Sequence, residues 1–254
     1  TIESYTYALN RFAKSLSSTH LIQDTNDEHI EDFMMSMEKQ KNPLTESSID
    51  SNLKSVSSFL KWCKKRNYID NVPTIDLFNP TLEDRWFTDM EYNAIINHTY
   101  SDTRFPMMFK LYGETGMRLT EGFNGVLTED SNGIWLAIPN EKSKSGKGRT
   151  IHLNTEQRDT IQLIQSLWYE GGCKKDHIKY YSRKLKQAIR ELNKIENNGI
   201  DIAQNKHFHS LRHYFGKRMV TICGNIYKVS GLLGHSSVKV TEESYVKGYD
   251  EKAG

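Results

Sequence analysis

No stretch of the 254 residues approaches the roughly 18–20 consecutive apolar side chains that a membrane-spanning helix requires. The polar opening TIESYTYALN has no basic segment followed by an apolar one, so no secretory leader is read there. Cysteine is scarce. Cys63, Cys173 and Cys223 are an odd number, widely separated and without a CxxC pair, which argues against a disulfide framework or a zinc knuckle and fits a reducing cytoplasm. No GxxxxGKS or GxxxxGKT loop is present to cradle a nucleotide phosphate, and no internal repeat or low-complexity tract occurs. What is present, 37% hydrophobic and 26% charged residues, is ordinary globular composition and excludes disorder as the main state. The length fits one large or two moderate domains, and two are expected.

The net charge of +2 hides an asymmetry, because residues 1–50 carry 4 Lys/Arg against 9 Asp/Glu, leaving a net of +7 on residues 51–254. The bases are clustered: Lys54 to Arg66, then Lys142, Lys144, Lys147 and Arg149, then Lys174 to Arg190, and finally Lys206 to Lys228, a run without one acid. Such patches suit a phosphate backbone, whose condensed counterions each bound cation releases. Each is equally a solvated helix face when taken alone.

Apolar spacing places Tyr5, Leu9, Phe12 and Leu16 on one helical face, followed by Ile30, Phe33, Met34 and Met37, and by a longer helix through Ile49, Leu53, Val56, Leu60 and Cys63. Residues 69–85, with Pro73 and Pro80 and no sustained period, read as an extended connection, giving a helical domain at 1–82 and a second domain at 83–254. In the second, helices are expected at Trp86 to His98 and Phe105 to Tyr112, with Gly113 and Gly116 breaking the pattern. The runs IWLAI and RTIHL flank a basic Ser/Gly-rich stretch and predict a hairpin. Helical periods return at Ile161, Ile164 and Trp168, at Ile178 to Leu192 and at Leu211 to Ile222. The fold expected is mainly α with a small antiparallel sheet.

Four segments of the second domain carry chemistry: TGMRLTEG around Arg118, the hairpin lysines, HFHSLRHYF around His209 and Arg212, and LLGHSSVKVTEESY with His235 and Tyr245. Singly, each has a bland explanation, such as an Arg118–Glu121 ion pair, helix histidines or a packing tyrosine. Together and in this order they resemble the tyrosine recombinase/phage integrase family over residues 86–246, and the preceding helices resemble that family's core-binding domain. The resemblance implies a two-domain clamp around double-stranded DNA and metal- and ATP-independent strand exchange. It makes Arg118 and Arg212 the paired guanidiniums, His209 and His235 the histidine positions, Tyr245 the nucleophile and Lys144 the hairpin lysine. Lys144 stands eight residues before His152, where the family often has proline, with Lys142 and Lys147 close by. His235 and Tyr245 are ten residues apart where family members usually have nine; a loop or bulge in VKVTEES is expected to absorb the extra residue, with Tyr249 the fallback nucleophile.

The chemistry asks for these groups. A phosphorane-like transition state concentrates negative charge on equatorial oxygens, which planar guanidiniums meet with charge and orientation together. A tyrosine hydroxyl, with an ordinary pKa near 10, loses its proton more readily beside cations and a hydrogen-bonding histidine, here His209. Lys144 would protonate the leaving 5′-oxygen, and Glu121 would support Arg118. In the implied reaction a 3′-phosphotyrosyl link forms at Tyr245 and a 5′-hydroxyl of another strand attacks it, within a homotetramer on DNA in the cytoplasm. No cofactor is expected. His207, His209, His213 and Cys223 form a weak zinc alternative, with Arg212 among the ligands and no acid adjacent. The rival readings are strand relaxation of the type IB topoisomerase kind and a DNA-binding protein that has lost catalysis on an integrase scaffold. A first residue other than Met suggests a trimmed chain, and the nine residues after Tyr245 read either as a short tail or as a truncated one.

Overall fold

The computed structural model describes residues 2–78, 86–142, 146, 148–169, 174–195 and 199–245. The chain divides into two compact units, Thr1–Glu83 and Asp84–Gly254.

The first unit contains α1 (Ile2–Ser15), α2 (Asp27–Glu38) and α3 (Glu46–Lys65). Asn26 and Thr45 accept backbone N–H bonds from His29 and Ser48, satisfying donors that the first turns of α2 and α3 leave free. The core joins Phe12 to Phe33, Met37, Ile49, Leu53, Val56 and Leu60, with the Phe12 and Phe33 rings edge to face at 5.1 Å. On α1 the buried positions are Ala8 and Phe12, while Tyr5, expected on the same face, is exposed. Residues 71–78 have no regular secondary structure and are docked: Thr74 N–H donates to Asp27, Phe78 N–H donates to Asp50, and Val72, Ile75 and Leu77 pack on the core.

The second unit runs α4 (Asp89–Asn97), α5 (Arg104–Thr115), α6 (Leu119–Asn124), β1 (Val126–Asp130), β2 (Gly133–Ile138), β3 (Arg149–Leu153), α7 (Thr155–Tyr169), α8 (Lys174–Asn193), α9 (Phe208–Cys223), α10 (Ile226–Leu233) and α11 (Val238–Tyr245). The three strands form one antiparallel sheet in sequence order, with Leu136 opposite both Leu127 and Ile151. The mainly α fold with a small antiparallel sheet is therefore as the periodicity and hairpin signals predict. β1, hidden by its mostly exposed, acid-ended sequence VLTED, is an addition. Gly113 does not end α5. It sits inside the helix because a Cβ there would enter the Tyr92 ring, and the helix stops at Gly116, whose φ of +62° takes the left-handed cap conformation that glycine adopts without strain.

The core packs Phe105, Phe109, Tyr112 and Phe208 against aliphatic residues of the sheet and α7 to α9. Below α9, Lys206 is buried against Glu91, donating to Oε1 at 2.6 Å, and Glu91 also accepts the Thr88 N–H at the start of α4. This pair fixes the entry to α9. No helix among the described residues is long and apolar enough to cross a membrane.

Candidate active site

Arg118 stands at the N-terminal boundary of α6, Arg149 at the head of β3, Arg212 on the second turn of α9, and His235 in the turn after α10. Arg212, only 2% exposed, donates Nη1–H to the Gly116 carbonyl at 2.9 Å and Nη2–H to the Leu233 carbonyl. Arg118 donates Nη2–H to the Gly234 carbonyl at 3.4 Å. The left-handed Gly234, φ +63°, closes α10 so that its last carbonyls, the negative end of the helix dipole, face the two guanidiniums. Burial first, and then the charges of Arg118 and Arg149, lower the Arg212 pKa to about 9, which leaves it cationic at neutral pH.

Glu121 balances this charge from within the protein. It is 2% exposed and pairs with Arg118 at 2.8 Å and with Arg149 at 2.7 Å. Burial works to raise its pKa, but the charge of Arg149 and hydrogen bonds from both arginines outweigh it, and the carboxyl titrates below its ordinary range. Arg149 is the residue that sequence reasoning placed only within a basic cluster. A signal existed: in RTIHL, alternation puts Arg149 on the same strand face as the buried Ile151 and Leu153.

The imidazoles lie on the same side. The His209 and His213 rings are 5.0 Å apart, His213 is 5.9 Å from the Tyr245 ring, and His235 stacks on Tyr245 at 6.4 Å with a 10° interplanar angle. His235 Nδ1 shares a 2.8 Å hydrogen bond with Thr241 Oγ1, which sets the ring's orientation. His209 is exposed as a whole residue, yet desolvation of its ring, followed by the charges of His213 and Arg212, lowers its pKa to about 4. Burial and then Arg212 and Arg118 do the same for His235. Both are neutral at pH 7, because desolvation and the neighbouring cations disfavour the protonated ring.

Tyr245, the last residue of α11, is buried among Val229, Leu233, Phe215 and Met219. Burial pushes its pKa up to about 12 against the opposing charge of Arg212. The loop or bulge expected in 238–244 is absent: α11 is regular, and the turn at residues 234–237 sets the register that brings Tyr245 to His235. Lys144, Lys147, Tyr249 and the side chain of Lys142 lie outside the described residues. Among the described residues no group of three or more His, Cys, Asp or Glu is placed to hold a metal ion.

Buried guanidiniums, neutral imidazoles and the phenol of Tyr245 brought together by α6, α9, α10 and α11 define a site of the phosphoryl-transfer class. Comparison with known proteins agrees. Residues 85–252 match the model of the phage integrase family, and residues 1–70 match that of the phage integrase N-terminal SAM-like domain. A tyrosine recombinase of Pseudothermotoga lettingae is 23% identical over 231 residues, 87% of this chain and 77% of the relative. The tyrosine recombinase XerC of Psychromonas ingrahamii is 26% identical over 80% of this chain and 70% of its own. Among solved structures, XerH bound to a palindromic difH substrate superposes with a TM-score of 0.68 at 16% identity, covering 99% of this chain and 78% of that one. A lambda integrase dimer bound to a core site gives 0.69 at 14% identity, covering 94% and 86%. The chain belongs to the phage integrase family, and within it to the tyrosine-type site-specific DNA recombinases. Neither the inactive-scaffold reading nor strand relaxation is favoured by these relatives, which are recombinases.

Proposed function

We propose that this recombinase cleaves and rejoins double-stranded DNA through a 3′-phosphotyrosyl intermediate at Tyr245. The observation that carries the assignment is the packing of Tyr245, at the end of α11, against Gly216, one turn beyond Arg212 on α9, with its ring stacked on His235. Arg118 and Arg212 hold the scissile phosphate and meet the charge that builds on its equatorial oxygens. His209 accepts the phenolic proton as the Tyr245 oxygen bonds to phosphorus and the 5′-oxygen leaves, the negative charge of the bound phosphate offsetting the cations that otherwise disfavour the protonated imidazole. His235 hydrogen-bonds the same phosphate. Lys144 delivers the proton to the leaving 5′-oxygen. In the second half-reaction a 5′-hydroxyl from another strand attacks the phosphotyrosine and releases Tyr245, so bond energy is conserved and neither ATP nor a metal ion enters the scheme.

Strand exchange needs four active sites at a junction, and the likeness to a lambda integrase tetramer bound to a Holliday junction, with a TM-score of 0.69, supports a homotetramer on DNA. The working compartment is the cytoplasm, with cellular DNA.

The test is covalent trapping on DNA nicked just beyond the scissile phosphate, with the adduct mapped by mass spectrometry. A 3′-phosphotyrosyl adduct at Tyr245 is expected. An adduct at Tyr249 would move the nucleophile, and no adduct on DNA that the protein demonstrably binds would overturn the catalytic reading.

A further inference from the structure

The ion-pair arithmetic of the site does not close with the arginines named from sequence. If Glu121 paired with Arg118 alone, a buried carboxylate would cancel the guanidinium meant for the phosphate. Instead Arg149 donates Nη1–H to Glu121 Oε1 at 2.9 Å and Nη2–H to Oε2 at 2.7 Å, a two-pronged bond that only a guanidinium fork makes. The same two oxygens accept Arg118 Nη1–H at 2.8 Å and the Arg118 backbone N–H at 2.7 Å. Three arginines against one glutamate leave this group with a net charge of +2.

Arg149 differs from the equally buried Arg212, whose partners are neutral carbonyls, in spending its charge on a carboxylate inside the protein. Its side chain is 7% exposed, both terminal nitrogens are engaged on Glu121, and Gly234 closes over it so tightly that a Cβ there would stand 2.8 Å from Nη1. Gly234 in turn accepts from Arg118 through its carbonyl and precedes His235. Arg149 also begins β3, the strand that follows the hairpin lysines. One side chain therefore ties the hairpin, Arg118 and the turn bearing His235 together.

We propose that Arg149 is a positioning residue for strand transfer, which holds Glu121 by both oxygens and so keeps the Arg118 guanidinium oriented and electrically available to the phosphate. The inference rests on the phosphotyrosyl reading above. It is tested by single-turnover adduct formation on nicked DNA at saturating protein, alongside DNA affinity and thermal melting, for Arg149→Met, Arg149→Lys and the double variant Arg149→Met/Glu121→Gln. Arg149→Met is expected to slow adduct formation by about 10²-fold, the scale of losing one preorganised electrostatic contact, with DNA affinity within about threefold of wild type. Neutralising Glu121 in the double variant removes the carboxylate that now cancels Arg118, and is expected to recover about tenfold of the rate. A merely structural role predicts no such recovery. If Arg149→Met fails to fold, Arg149→Lys decides: the ammonium keeps the charge without the fork, and a rate about tenfold below wild type at unchanged melting is expected. Wild-type rates in the folded single variants, or a double variant no faster than Arg149→Met, overturn the proposal. Absence of any adduct with the wild-type chain strikes the phosphotyrosyl reading itself and the proposal with it.

Discussion

The phenol of Tyr245 lies against the backbone of Gly216 on α9, one turn beyond Arg212, so closely that a methyl group at residue 216 would stand 2.6 Å from the phenolic oxygen. No carbon is tolerated at that distance, so glycine here is a packing requirement despite its cost of about 1 kcal/mol in a helix interior. Gly216→Ala is therefore expected to gain helix propensity and still loosen α11. Faster proteolytic cleavage within 238–245 and at least a tenfold loss in adduct rate are the readouts. An alanine variant that keeps α11 protected and reacts at the wild-type rate would show that the close approach is dispensable.

Arg212 has a structural and a chemical task. Arg212→Ala removes a cation from the phosphate site and leaves the Gly116 and Leu233 carbonyls without their donor. Loss of the charge is expected to lower the adduct rate by about 10²–10³-fold, and each buried unpaired carbonyl to cost about 1–3 kcal/mol. Arg212→Lys restores the charge but cannot reach both carbonyls. Its melting temperature should stay below wild type while its rate recovers in part, a split visible by comparing calorimetry with single-turnover kinetics.

The histidines give the site an acid limit. His235 has a folded pKa of about 4, below the ordinary value of about 6.5 for imidazole. Between those values the unfolded chain binds a proton that the folded chain refuses. The stabilising difference is therefore fully present above about pH 6.5 and is lost as the pH falls toward 4. His209 carries the same sign. His235→Asn should flatten the dependence of unfolding free energy on pH across this window relative to wild type, as measured by urea titration at several pH values. Equal slopes would place the imidazole in a solvated, unperturbed setting.

Much of this site was legible because its motifs are local. Arg118 with Glu121, His209 with Arg212, and His235 each sit within a few residues of a helix boundary whose capping glycine or periodicity is written in the same segment. Arg149 was not legible in the same way. Its partner Glu121 is 28 residues away, and only the β2–β3 pairing brings the strand head to α6. The bulge that the spacing of ten implies is missing for a related reason. A spacing of ten looks wrong for one rigid helix, but the left-handed Gly234 and the turn at 234–237 separate α10 from α11, so helical rotation is not counted through the whole segment. In the sequence Lys206 is one base of a run that suits a surface patch, whereas in the fold it is buried on Glu91, 115 residues away.

That buried pair makes the last prediction. Lys206 holds both oxygens of Glu91 beneath the Phe87 ring face, and Glu91 keeps the Thr88 N–H that starts α4. Lys206→Met leaves a carboxylate buried without its cation and is expected to destabilise the second unit by about 3–5 kcal/mol. Pairing it with Glu91→Gln removes the orphaned charge while the amide oxygen still accepts from Thr88, so the double variant should recover most of the loss. Urea unfolding of the four chains of this cycle measures the coupling directly. If the two single variants add without coupling, the pair does not anchor α9, and the approach of His209 and Arg212 to the site rests on the aromatic core around Phe208 instead.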